Sequence, residues 1–122
     1  MTVAACVDEV LVRGLDDWIQ AAEVASIART HGGAKGDDEM RRTSLEVVEE
    51  LLRGNLAQIG EVSGAGFQSW DLSQVAALTK VEADWRVGLN APALGELFWL
   101  NLTEHGQRIA EDLWERTSPK KS

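Results

Sequence analysis

The sequence predicts a mainly helical α+β fold: about five helices around one core, with a two-stranded ribbon. Three observations predict it. Apolar residues make up 44% of the 122 residues, enough to build one core and too many for a disordered chain. Four stretches of helical apolar period end on glycine, at Gly14, Gly32, Gly54 and Gly88. Two short stretches, Leu56 to Val62 and Glu96 to Leu102, read as strands.

The elements follow in chain order. Val3 to Arg13 reads as a helix because Val3, Val7, Val10 and Leu11 share a face before Gly14. Leu15 to Thr30 reads as a second helix. Asp16 and Asp17 favour its start through the helix dipole, and Leu15, Trp18, Ile19 and Ala22 form an apolar stripe that Val24, Ala25, Ile27 and Ala28 widen. Gly32 to Asp38 is a polar loop. Thr43 and Glu46 stand at capping-box spacing ahead of Leu45, Val48 and Leu52, although the helix has room to begin near Asp38. Ser63 to Gly66 reads as a turn, from which Phe67 and Trp70 fold back on the core. Asp71 and Gln74 repeat the cap spacing before a helix whose face carries Val75, Leu78, Val81 and Trp85 and which stops at Gly88; Asn90-Ala91-Pro92 connects onward. From Glu96 to Leu102 apolar residues occupy both faces of a strand, which predicts cover on both sides. Thr103 then caps a last helix with Ile109, Ala110, Leu113 and Trp114 as its buried stripe. Residues 1–117 read as one domain and Ser118 to Ser122 as a basic frayed tail.

Composition narrows the function. The longest apolar block, Leu97 to Leu102, is far short of a membrane span, and the start of the chain lacks the basic-then-apolar order of a signal peptide. One cysteine, Cys6, allows no internal disulfide and points to a reducing cytoplasm. The net charge of -8 works against DNA, whose binding draws on cations that neutralise phosphate, and favours basic proteins as partners.

Catalytic and metal chemistry find few residues. His31 stands at a helix end, where a cation suits the dipole, and His105 beside Glu104 does not face it, since adjacent helical residues diverge. Cys6, His31 and His105 are too scattered for a metal site. Gly32-Gly33-Ala34-Lys35-Gly36 has phosphate-loop composition without the P-loop spacing. The chain therefore reads as a non-enzyme with no cofactor and no metal.

The run Phe98-Trp99-Leu100-Asn101-Leu102-Thr103-Glu104-His105-Gly106 is similar to the end of a winged helix in bacterial regulators of the MarR and PadR type. There the last wing strand commonly runs into Leu-Thr-x-x-Gly and a helix, and Leu102, Thr103 and Gly106 match. Ser44 to Val62 resembles the recognition helix of such a regulator, followed by an Asn-Leu step into the first wing strand; Leu15 to Thr30 would be the preceding helix. A whole helix is inserted between the two wing strands, and the usual basic residues at the wing tip are absent. The resemblance implies DNA binding through Arg41, Arg42 and Arg53, in a dimer formed by the first and last helices.

The leading expectation is nevertheless a non-catalytic interaction protein, such as an inhibitor, immunity-type protein or adaptor. Its contact surface would be Asp37, Asp38, Glu39, Glu46, Glu49 and Glu50, with Trp70 as an exposed anchor after the Gly-rich turn. The same acidic stretch presented to a major groove would repel phosphates. The competing account of these charges is a solvated helix face with pairs such as Glu49 and Arg53. A winged-helix regulator is the second expectation, and a small-molecule sensor with a Trp-lined pocket the third.

Overall fold

The computed structural model describes residues 3–85 and 97–117. The order is α1 (Val3–Gly14), β1 (Ile19–Gln20), α2 (Ala21–Thr30), α3 (Gly36–Arg53), β2 (Ala57–Ser63), β3 (Gly66–Ser69), α4 (Gln74–Asp84), β4 (Trp99–Leu102) and α5 (Glu104–Thr117). The mainly helical α+β fold is therefore as expected, with a larger sheet than the sequence indicates. The predicted stop at Gly88, the Asn90-Ala91-Pro92 connector, the start of the last strand at Glu96 and the tail from Ser118 lie outside the described residues.

α1 buries Cys6, Val10 and Leu11 at helical spacing and ends at Gly14, where a Cβ would crowd the Leu102 side chain at about 3 Å. α2 begins at Ala21, not Leu15. Ile19 and Gln20 are drawn instead into a strand opposite Leu100 and Trp99, and the Ala21 N–H donates to the Phe98 carbonyl at 3.1 Å. A partner far along the chain thus overrides the local helical pattern. One consequence is that Asp16 and Asp17 do not cap α2; they follow the C-terminal end of α1.

α3 begins at Gly36, so Thr43 lies in its interior and forms no capping box with Glu46. Asp37, Asp38 and Glu39 fill its first turn, where the dipole favours carboxylates, and the Glu39 carboxylate accepts the Lys35 N–H. Asn55, left-handed at φ 55°, turns the chain from α3 into β2. α4 is capped by Ser73, whose hydroxyl accepts the Ala76 N–H at 3.1 Å, rather than by Asp71, and it ends at Asp84. Val75 is 75% exposed and does not belong to the buried stripe, which uses Ala77, Val81 and Trp85.

The expected two-stranded ribbon is a four-stranded antiparallel sheet in the order β1-β4-β2-β3. β2 and β3 form a tight hairpin that pairs Ser63 with Gly66, the latter at φ 99°, a conformation glycine tolerates. β4 pairs Ile59 with Leu100 and Ala57 with Leu102. Cover on both faces of β4 is not what forms. Phe98, Leu100 and Leu102 are buried, while Trp99 and Asn101 are half-buried on the other side. Ile19, Ile59, Leu100 and Leu102 therefore make the core face of the sheet.

Trp85 and Phe98 are the largest fully buried side chains of a core that also takes in Leu11, Ile27, Met40, Leu51 and Ala110. α1 packs against α2, α3 and α5, and α4 packs against α3. Trp114, expected in the buried stripe of α5, is 54% exposed, and Ala110 supplies the fully buried contact.

The Leu102–Gly106 run acts as a junction. Thr103 Oγ1 accepts the Gly106 N–H at 2.9 Å and donates to the Asn55 carbonyl at 2.7 Å, while the Thr103 N–H reaches the Leu56 carbonyl at 3.0 Å. A Cβ on Gly106 would overlap that same carbonyl of Leu56. One Thr thus caps α5 and ties it to the start of β2, and one Gly lets the helix sit against that strand.

Candidate interaction surfaces

The exposed face of α3 is acidic. Asp38, Glu39, Glu46 and Glu50 are exposed, and Asp37 and Glu49 are half-buried. Buried Met40, Ser44, Val47, Val48, Leu51 and Leu52 hold the opposite face, so the 3.6-residue period itself sorts the carboxylates outward. The cluster has two parts with different physics. Asp37, Asp38 and Glu39 sit where the helix dipole stabilises them. Glu46 and Glu50 lie beyond the first turn and gain nothing from it; among the described residues neither has a cationic partner.

The three arginines expected to meet DNA have different settings. Arg41 is half-buried. Its Nε donates to the Trp85 carbonyl and its Nη2 to the Glu82 carbonyl at 3.2 Å, so it closes the C-terminal end of α4. Arg53 is paired with Glu49 one turn back. Arg42 is exposed on α3, and nearby Arg29 points its Nη2 at the Met40 sulfur, 3.3 Å away.

Trp70 is also placed differently from expectation. It is half-buried against the core, and the Lys80 ammonium stands 5.0 Å from its ring centre, a cation–π contact that leaves it a poor free anchor. The exposed tryptophan is Trp114, beside Val12 and Leu15 at the α1–α5 surface. The sequence hid this because Trp114 directly follows Leu113 on the edge of the α5 stripe, where a small rotation decides burial. Leu72, 47% exposed, and Val75 add apolar surface at the start of α4. A shallow groove of about 190 Å³ runs beside them between β2, Trp70 and α4.

Trp18 and Trp99 form another feature that local sequence does not show. Both line a recess with Arg13, Asp16 and Asp17, at the junction of α1 with the outer side of β1 and β4.

The remaining candidates for chemistry have structural settings. His31 is the C-terminal cap residue of α2, with Nε2 3.8 Å from Glu9. His105 is exposed in the first turn of α5. Cys6 is fully buried with its Sγ 3.8 Å from the Ile27 carbonyl, and desolvation pushes its thiol pKa up, away from a reactive thiolate. No group of three metal-ligating side chains occurs among the described residues, and no described helix is long and apolar enough to cross a membrane.

Set against family models, curated proteins and solved structures, the chain matches none.

Proposed function

We propose that the protein is a non-catalytic interaction module that docks a basic partner on the outer face of α3. One observation carries this reading. Asp38, Glu46 and Glu50 stand exposed on that face without cationic partners among the described residues, while two of the helix's three arginines are spent within the fold. Such a surface attracts cations and raises encounter rates with a basic protein. Its cost is mutual repulsion that the fold itself does not relieve. A reducing, cytoplasmic setting suits a chain whose one cysteine is buried and unpaired.

A second reading is a winged-helix regulator of DNA. Its support is topological. Helix, strand, helix, helix and strand precede an inserted hairpin arm and helix, β4 returns between β1 and β2, and the Leu102–Gly106 junction then leads into α5. In that reading α3 would enter the groove, with α1 and α5 as dimer elements. The charge on α3 weighs against it, because each carboxylate brought to a phosphate backbone subtracts from binding.

Fluorescence anisotropy on mixed genomic DNA fragments separates the two. The expected result is no binding even at about 20 mM salt, where electrostatic attraction is least screened. Salt-sensitive binding that is lost on reversing Arg42 and Arg53 to Glu would overturn the interaction reading in favour of the regulator.

A further inference from the structure

We propose that the recess between the C-terminal end of α1 and the outer side of β1 and β4 receives an arginine side chain of a partner protein. The site is separate from the α3 face and does not depend on it.

The recess is made by strand register. Gln20 pairs directly with Trp99, and Trp18 lies two residues before Gln20, so the alternation of an extended chain puts both indoles on the sheet side away from the core. Both rings are half-buried and line the same hollow. Trp18 also packs against Phe67, with ring centres 6.3 Å apart at 34°. β1 is the terminal strand of the sheet, beside β4.

The charge around the hollow calls for a cation. Asp16 and Asp17 are exposed just beyond the C-terminal end of α1, where the helix dipole is already negative. Carboxylates are favoured at the opposite end of a helix, so here they weaken the fold slightly rather than support it. Arg13 is the one cation lining the recess among the described residues. Its charge is already matched by two glutamates, with Nε 2.7 Å from Glu9 and Nη1 3.4 Å from Glu23, which also lines the recess. Neither aspartate has a cationic partner among the described residues; Asp17 Oδ1 accepts only the Trp18 N–H, at 2.7 Å. Two indole faces and two carboxylates without counter-ions are thus brought to one place.

That pairing selects the occupant. A guanidinium is planar, weakly hydrated, stacks on an indole and presents parallel donors to a carboxylate. A nucleic acid or other anion would be repelled by Asp16 and Asp17, and a neutral apolar group would make no use of them. The shallow, charged hollow favours a side chain carried on a partner over an enclosed small molecule.

The test follows the indole N–H signals of the five tryptophans by NMR while acetyl-Gly-Arg-Gly-amide is added, with Trp18→Phe and Trp99→Phe variants assigning two of them. The expected result is a saturable shift of the Trp18 and Trp99 signals with those of Trp85 and Trp114 unmoved. The citrulline counterpart, which has the same shape without the charge, should give no saturable shift. The exposed double variant D16N/D17N should weaken binding at least about fivefold while the remaining spectrum stays native. Unmoved Trp18 and Trp99 signals, equal binding of the citrulline peptide, or undiminished binding by D16N/D17N would each overturn the proposal. Free arginine binding more tightly than the blocked peptide would replace the protein partner by the amino acid and overturn it as stated. E46K/E50K, which disables the α3 surface, should leave these shifts unchanged, so failure of one site is distinguishable from failure of the other.

Discussion

A side chain at position 106 would have nowhere to go. Its Cβ would overlap the Leu56 carbonyl oxygen, with the carbonyl carbon only 2.9 Å away, and that oxygen is held by the Thr103 N–H. Backbone on one side and a capped helix on the other leave no flexible atom to yield. Gly106→Ala should therefore destabilise the fold by about 3 kcal/mol or more, the upper end for overpacking. Urea denaturation monitored by circular dichroism measures it, and a loss under about 1 kcal/mol would mean that α5 shifts freely on β2. The neighbouring exposed Gln107 changed to Ala serves as the control. Two other buried atoms show the opposite condition. Ser44 Oγ and Trp85 Nε1 are buried with no hydrogen-bond partner among the described residues, a cost of about 1–3 kcal/mol each that the surrounding apolar contacts offset.

At the scale of elements, the inserted helix α4 is held by a small number of groups. Ala77, Val81 and Trp85 pack inward, and Arg41 reaches across from α3 to the Trp85 and Glu82 carbonyls. Carbonyls in the last turn of a helix lack intrahelical donors, and Arg41 supplies donors here. Replacing Arg41 with Met keeps most of the aliphatic stem and removes the donors. The expected outcome is a loss of about 1–2 kcal/mol, with hydrogen-exchange protection falling in α4 more than in α1 or α2. Unchanged protection in α4 would show that apolar packing alone secures it.

The elements also show where local sequence was sufficient. The ends of α1, α2 and α3, the β2 strand and the Thr103 cap were legible because glycine stops, apolar period and cap chemistry act within a few residues. β1 was not, since two residues become a strand only when Leu100 and Trp99 arrive from the far end of the chain. β3 was missed for a related reason: Gly66–Ser69 has little apolar alternation and is defined by its pairing with β2. Thr43 illustrates a misleading local signal, because the acidic turn at Asp37–Glu39 starts α3 earlier. The exposed carboxylates of α3 were readable from periodicity. The meeting of Trp18 with Trp99 was not, because it depends on strand register.

The whole molecule carries 20 acidic and 12 basic side chains, and its ion pairs do not redress the balance. Arg53–Glu49, Lys80–Asp84 and Arg116–Asp112 are surface pairs one helical turn apart, each worth a fraction of a kcal/mol. Arg13 is held between Glu9 and Glu23, and its pKa is raised chiefly by the hydrogen bond to Glu9. Asp16, Asp17, Glu46 and Glu50, all exposed, have no cationic partner among the described residues. Their repulsion acts over several ångströms through solvent and is screened by salt, whereas the ion pairs it competes with are few and weak. Raising sodium chloride from about 20 to 300 mM should therefore raise the thermal midpoint, by about 2 °C or more for a domain of this size. Calorimetry at neutral pH checks this. A midpoint that fell with salt would show that the ion pairs outweigh the repulsion, and the surplus carboxylates would then no longer count as a cost to the fold that partner binding relieves.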